Sequence, residues 1–164
     1  MLSWLVDHFA DQVGRHRRRE LGTLDRRSLL RYAVACGETD APYVDVAAAR
    51  ELGYPDLLAL PNYLAAMSDD AADAADSDLN VDGTSALGRF GALPPEVTVL
   101  GGSETLRFLA PVHAGMSVEH GIHVVGVTSR QGSDGRELCL VTFEDEFSVV
   151  GELVLLARRT VVLR

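Results

Sequence analysis

The residues best suited to chemistry in this chain lie in one short segment, from Gly37 to Asp45. Glu38 could act as a general base if it were buried enough to work near neutrality, and Tyr43 could donate a hydrogen bond to a carbonyl group. Each also has a structural explanation, because a carboxylate after a helix end is commonly solvated and an aromatic ring can pack against a sheet. Asp40 and Asp45 could simply cap turns and helices.

Other candidate sites are weaker. His120 and His123 are three residues apart in a predicted strand, so their side chains point to opposite faces and form a poor metal-binding pair. His113 lies beside a predicted bend and could face a pocket. No Cys or Ser has an obvious base partner, and no Gly-rich phosphate loop follows a strand. The sequence therefore indicates no metal and no nucleotide cofactor.

Length and composition predict a single globular domain over residues 1–164. The chain has 164 residues, of which 47% are hydrophobic, enough for a sizeable core. Its net charge of −9 argues against general binding to nucleic acid or anionic membranes, since affinity for phosphate comes mostly from clustered cations. The local exception is the basic run from Arg15 to Arg19.

Cysteine usage and the first residues predict a cytoplasmic protein. Cys36 and Cys139 lack ligand-like spacing, so we expect two reduced, buried thiols. The stretch from Met1 to Ala10 carries Asp7 and is followed by arginines, which is the reverse of a secretory signal. No apolar run approaches the roughly 18 residues that a membrane helix needs.

Hydrophobic patterning predicts a helical, loop-rich first half and a strand-rich second half. We expect a helix from Leu24 to Cys36, capped by Asp25 and stopped by Gly37, and a short helix from Val46 to Leu52 capped by Asp45. In the second half, apolar residues recur at every second position, which implies an antiparallel sheet with one buried face. The predicted strands are Thr105–Leu109, Val118–Thr128, Glu137–Val149 and Glu152–Leu163. A long central helix packed on such a sheet gives an α+β fold.

The stretch from Tyr32 to Met67 reads YAVACGETDAPYVDVAAARELGYPDLLALPNYLAAM. Its succession of a helix ending in glycine, a carboxylate, a small-residue helix and a Gly-aromatic turn resembles the MaoC-like, hot-dog fold acyl-thioester dehydratases. The run G-G-S-E from Gly101, then Pro111 and Gly115, is similar to the family's approach to a strand. The resemblance covers most of the chain and implies one hot-dog domain.

The sequence departs from this family at the positions that carry catalysis. A gapless match places Glu38 at the catalytic Asp position and Tyr43 at the catalytic His position, with Asp45 as the trailing Asp. A neutral imidazole near its pKa suits proton transfer, whereas tyrosine, with a reference pKa of about 10, is a poor base. Glu38 and Tyr43 are thus positional equivalents of a dyad that is not present.

The run A-L-P-N-Y from Ala59 resembles the family's amino-terminal, FAS1-like dehydratase half. In that family, this half usually lacks the catalytic dyad and pairs with a second hot-dog domain that carries it. The resemblance implies that the substrate is an acyl-CoA or acyl-carrier-protein thioester. It also implies a homodimer, or a heterodimer with a second hot-dog chain. The residues expected to contact substrate are Asp40, Pro61, Asn62 and Tyr63.

Three functions stay open, and with them the question of whether the chain alone is an enzyme. The chain could be the substrate-binding partner, without the dyad, in a 3-hydroxyacyl-thioester dehydratase or enoyl-CoA hydratase. It could instead be a self-sufficient hydro-lyase with Glu38 as base. A hot-dog thioesterase is the third possibility, since it too would use a carboxylate near the central helix.

The segment from Ser68 to Gly83 is acidic, rich in alanine and almost free of large apolar residues. Its composition is typical of a solvated loop or a frayed helix. A mobile flap over an acyl channel is the alternative, because long loops in compact domains often carry function.

Overall fold

Five helices and five strands follow one another in the part of the chain that the computed structural model describes, residues 2–67, 75, 93–94 and 96–164. In chain order they are α1 (Leu2–Ala10), β1 (His16–Thr23), α2 (Arg26–Ala35), α3 (Ala41–Val44), α4 (Val46–Glu51), α5 (Tyr63–Met67), β2 (Val99–Phe108), β3 (Ser117–Gln131), β4 (Glu137–Val149) and β5 (Glu152–Leu163).

The strands form one antiparallel sheet in the order β1-β3-β4-β5-β2, so β1 and β2 are its edges. This confirms the α+β class and the antiparallel sheet predicted from the alternation. β4 and β5 have the predicted bounds, while β2 begins earlier and β3 is longer at both ends. The pattern is clearest in β4, where every second side chain is buried from Cys139 to Val149.

Two apolar clusters cover the buried face of the sheet, and we name each after the helix that contributes to it. The α2 cluster contains Leu24, Leu29, Leu57, Ala59, Leu64, Val112, Ala114, Val118, Phe147, Val149, Val154 and Leu155. The α1 cluster contains Leu5, Phe9, Ile122, Val124, Cys139, Val141, Phe143 and Leu163. The helices are therefore held by burial of apolar surface at roughly 25 cal/mol per Å².

The prediction of a long central helix is wrong. The predicted helix from Leu24 to Cys36 is the ten-residue α2. Its start is set by Asp25, whose carboxylate accepts a hydrogen bond from Ser28 N at 2.8 Å, and its end by Gly37, whose φ of 71° leaves the helical region. Both capping predictions are confirmed, and the caps lie too close together for a longer helix.

Four elements were not predicted: α1, β1, α3 and α5. β1 contains most of the basic run and exposes nearly all of its side chains, so it shows no alternation of apolar residues. It is a strand because it pairs with β3, from His16 opposite His123 to Thr23 opposite Ser117. Charged side chains on an edge strand hinder pairing with further chains.

One of the two thiols differs from the expectation that both are buried. Cys139 is buried, and burial raises the pKa of its thiol. Cys36 is exposed at the C-cap of α2, so the prediction of a buried thiol is wrong there.

The segment from Ser68 to Gly83 lies outside the described residues apart from Ala75, so its predicted role is not tested. None of the described helices is long and apolar enough to cross a membrane.

Candidate functional site

The loop between α2 and α3 places Glu38 beside the end of the helix. Its backbone N–H donates to Ala33 O at 2.9 Å, which closes the helix end. Its Oε1 accepts hydrogen bonds from the backbone N–H groups of Thr39 and Asp40, both at 2.8 Å. Oε2 has no hydrogen-bond partner among the described residues. One oxygen of this half-buried carboxylate therefore stabilises the conformation of its own loop.

The two aspartates near Glu38 have different roles. Asp45 caps α4, because its Oδ1 accepts a hydrogen bond from Ala47 N at 2.8 Å, as predicted. Asp40 lies at the N-cap position of α3, but its side chain makes no capping hydrogen bond and is exposed. Asp40 is thus free to contact a ligand.

An apolar cavity of about 280 Å³ opens beside α3. It brings together Tyr43 and Pro61, two of the residues selected from the sequence. Its other described lining residues are apolar and come from the loop after α4, from α5 and from the ends of β2 and β5: Leu58, Ala59, Leu64, Phe108, Leu109, Ala110, Pro111, Val112, Val154 and Leu155.

Four selected residues are not among the described residues that line this cavity: Glu38, Asp40, Asn62 and Tyr63. Tyr63 instead packs its ring edge-on against Tyr32 of α2, with the centroids 5.1 Å apart. Burial raises the pKa of the Tyr63 hydroxyl. Asn62 is exposed in the turn that begins α5. The structure thus does not bring these four side chains into the described wall of the cavity.

Backbone hydrogen bonds hold the cavity wall against the segment that connects β2 to β3. Ala59 N donates to Val112 O and Ala114 N donates to Leu57 O, both at 2.9 Å. The start of α2 is tied to the same wall by an ion pair between Arg26 and Asp56. The hydrogen bond from Arg26 is the main reason why the pKa of Asp56 falls to about 2.

The lining decides what the cavity can do. Tyr43 carries the only ionisable side chain among its described lining residues, so the wall can bury hydrocarbon and donate one hydrogen bond. His113, which could have faced a pocket, is not part of that lining, and its Nδ1 lies 2.8 Å from Ala114 O. No group of three potential metal ligands occurs in the described residues.

A buried polar pair on the sheet was missed by sequence reasoning. His120 Nε2 lies 2.9 Å from Asp145 Oδ1, and their side chains are 4% and 0% exposed. The pair sits between the two apolar clusters, with the His120 ring stacked on Phe147. Arg159 Nε forms ion pairs with Glu104 Oε1 at 2.6 Å and with Asp145 Oδ2 at 3.8 Å, but it makes no well-directed hydrogen bond to either.

The pairing of β3 with β4 explains why His120 was overlooked. His120 and His123 do point to opposite faces, since His120 meets the buried Asp145 while His123 stacks on His16 and lies 3.8 Å from Glu144. The metal-pair argument was therefore sound. Only the register between strands, however, brings His120 to a carboxylate 25 residues away.

Comparison with known proteins gives one family match. The family model described as "FAS1-like, dehydratase domain region" matches residues 11–157. No curated protein matches.

Solved structures share the fold. The chain resembles a chain of the C-terminally truncated HadBC (3R-hydroxyacyl-ACP dehydratase) complex from Mycobacterium tuberculosis, with 18% identity, a TM-score of 0.66 and coverage of 93% of this chain and 97% of that one. A chain of the ChsH1-ChsH2 complex of the same organism has 17% identity and a TM-score of 0.68, with coverage of 99% of this chain and 92% of that one. The (R)-hydratase PhaJ1 from Pseudomonas aeruginosa has 17% identity and a TM-score of 0.61, with coverage of 91% of this chain and 79% of that one. The sheet and its helices are accordingly hot-dog-like.

Proposed function

Because the chain belongs to the FAS1-like dehydratase domain family, we propose that it is the substrate-binding subunit of a 3-hydroxyacyl-thioester dehydratase or enoyl-CoA hydratase. In this proposal a second hot-dog chain supplies the catalytic Asp and His. The observation that carries it is the apolar cavity beside α3, which we call the acyl cavity. Its described wall presents Tyr43 and apolar groups but no imidazole and no carboxylate. Such a wall suits an acyl chain and lacks a base that works near neutrality.

Two relatives in fold support a partner chain. HadBC and ChsH1-ChsH2 are both complexes of two different chains, and HadBC is a 3R-hydroxyacyl-ACP dehydratase. We propose the same organisation here, with an acyl-CoA or acyl-carrier-protein thioester as ligand.

One observation favours a second candidate, a hydro-lyase that works without a partner's dyad. Glu38 is half-buried, and its Oε2 has no hydrogen-bond partner among the described residues. A carboxylate held in this way could accept a proton if a bound thioester reached it. The same carboxylate would serve a hot-dog thioesterase. Replacing Glu38 separates both alternatives from the main proposal.

The two edges of the sheet differ, and this difference predicts where a partner binds. The β1 edge is lined by basic side chains, whereas β2 exposes Val99, Leu100 and Phe108 at 40%, 38% and 49%. An unguarded edge strand with exposed apolar groups is suited to pairing with another chain. We therefore expect a dimer formed through β2.

Size-exclusion chromatography with light scattering tests this expectation. The wild-type chain should be dimeric at micromolar concentration, and Leu100→Lys should shift it towards the monomer by adding a charge at the interface. Val150→Lys, at a turn residue that is 94% exposed, is the matched control and should leave the dimer intact. A wild-type chain that stays monomeric, both alone and beside a candidate partner chain, would refute the interface.

Binding of an acyl thioester tests the acyl cavity itself. Ala110 is exposed at the cavity, so Ala110→Trp should fill the opening without disturbing the core. We expect this variant to bind hexanoyl-CoA about tenfold or more weakly by calorimetry, a loss of about 1.4 kcal/mol. Ala47→Trp, on the exposed part of α4, should bind as the wild type does. Equal binding by all three chains would show that the acyl group lies elsewhere.

A further inference from the structure

A second cavity, of about 450 Å³, lies between the end of α1 and the start of β1. It shares no described lining residue with the acyl cavity. The strands that contribute to the two cavities also differ, since this one is lined from β1, β3 and β4 and the acyl cavity from β2 and β5. We propose that this α1–β1 cavity binds an organic anion that carries an apolar body next to a carboxylate or phosphate group.

The floor of the α1–β1 cavity is apolar. Ile122, Val124 and Phe143 line it from β3 and β4, and they are 9%, 4% and 1% exposed. All three belong to the α1 cluster, which fixes their positions. Pockets of this size with apolar walls and a few polar groups are typical sites for small ligands. In the proposal, this floor contacts the apolar body of the ligand.

The rim of the cavity is cationic. Arg15 and Arg17 both line it, against Asp11 as the one carboxylate among its described lining residues. This local excess of positive charge is opposite to the net charge of −9 of the whole chain. A guanidinium group matches the geometry of a carboxylate or a phosphate through two parallel hydrogen bonds. In the proposal, the guanidinium groups of this rim bind the anionic group of the ligand.

Further polar groups at the rim are held in place. The His8 and Gln12 side chains line the cavity from α1 and its end, with Gln12 Nε2 2.9 Å from His8 Nε2. Arg15 N donates to Gln12 O at 3.0 Å, which fixes the turn into β1. His123 also lines the cavity, but its ring stacks on His16 on the other face of the sheet, so it adds no polar group to the rim.

Protection of an edge strand does not explain these features. Charged residues anywhere along β1 would discourage pairing with other strands. Arg18 fits that role, because its side chain is 70% exposed and lies 3.9 Å from Glu146. Arg17 instead lies opposite Ile122, on the face that carries the cavity floor. The coincidence of an apolar floor with a cationic rim is what favours a ligand.

The single tryptophan provides a direct test. The Trp4 ring stacks on His8, a lining residue, with the centroids 4.8 Å apart, so a ligand in the cavity should change its fluorescence. Hexanoate and hexyl phosphate should bind saturably, and the stronger of the two identifies the head group. Hexanol and hexylammonium should bind about tenfold or more weakly, because they lack the negative charge. Calorimetry measures the same four probes independently of Trp4.

Substitutions locate the site. The double variant Arg15→Gln/Arg17→Gln should bind the preferred anion about tenfold or more weakly. Arg18→Gln, the neighbouring residue on the opposite face of β1, should bind as the wild type does. Ala110→Trp should also leave this binding unchanged, which separates it from the acyl cavity. No saturable binding of either anion, equal binding of hexanol, or unchanged binding by the double variant would each overturn the proposal.

Discussion

We expect the isolated chain to hydrate crotonyl-CoA about two to four orders of magnitude more slowly than a hot-dog chain that carries an Asp/His dyad, because a positioned general acid–base group contributes a factor of that size. The resemblance matches Tyr43 to the family's catalytic His, and Tyr43 is part of an otherwise apolar cavity wall. A tyrosine hydroxyl can donate a hydrogen bond to a thioester carbonyl, but tyrosine side chains are in general poor bases near neutral pH.

The control for this assay is a dyad-bearing chain whose catalytic His is replaced by Tyr. Its rate of crotonyl-CoA hydration should fall to that of the present wild-type chain. A rate for this chain within about tenfold of the intact dyad-bearing enzyme would contradict the assignment of Tyr43 as a non-basic group.

The second large effect concerns the buried pair of His120 and Asp145. His120→Leu should lower the free energy of unfolding by about 3–5 kcal/mol, because it leaves the fully buried Asp145 carboxylate without its hydrogen bond from the imidazole. The double variant His120→Leu/Asp145→Leu should recover much of that loss, since two apolar groups need no partner. Urea denaturation followed by circular dichroism measures both.

The matched control is His16→Leu, the same change at an exposed residue of β1. Surface substitutions typically change the free energy of unfolding by less than about 0.5 kcal/mol. If the double variant were as unstable as His120→Leu, the buried carboxylate would not be the source of the instability.

Local signals in the sequence predicted most of the sheet and the helix boundaries. β4 and β5 were predicted with their observed bounds, because one face of each strand is buried along much of its length. The start of α2 follows from Asp25 and its end from Gly37, since capping depends on neighbouring residues alone. The predicted helix, Leu24–Cys36, included the capping residues themselves, whereas the helical residues are Arg26–Ala35.

Features that depend on contacts between distant residues were not predictable in this way. β1 has no apolar alternation, and its strand conformation comes from pairing with β3, about a hundred residues later in the chain. The pair of His120 and Asp145 likewise requires the register of β3 on β4. For the candidate site, the resemblance directed attention to Tyr43 and Pro61, which do lie at one cavity. The roles of Glu38, Asp40, Asn62 and Tyr63 stay predictions.

Reconstitution with a partner is the most direct test of the proposed function. The wild-type chain and its Glu38→Gln variant are each assayed for enoyl-thioester hydration, alone and mixed with a dyad-bearing hot-dog chain. We predict that activity above that of either chain alone appears only in the mixtures, and that it survives Glu38→Gln. Robust turnover by the chain alone that collapses in Glu38→Gln would contradict the proposal and would identify Glu38 as a catalytic base.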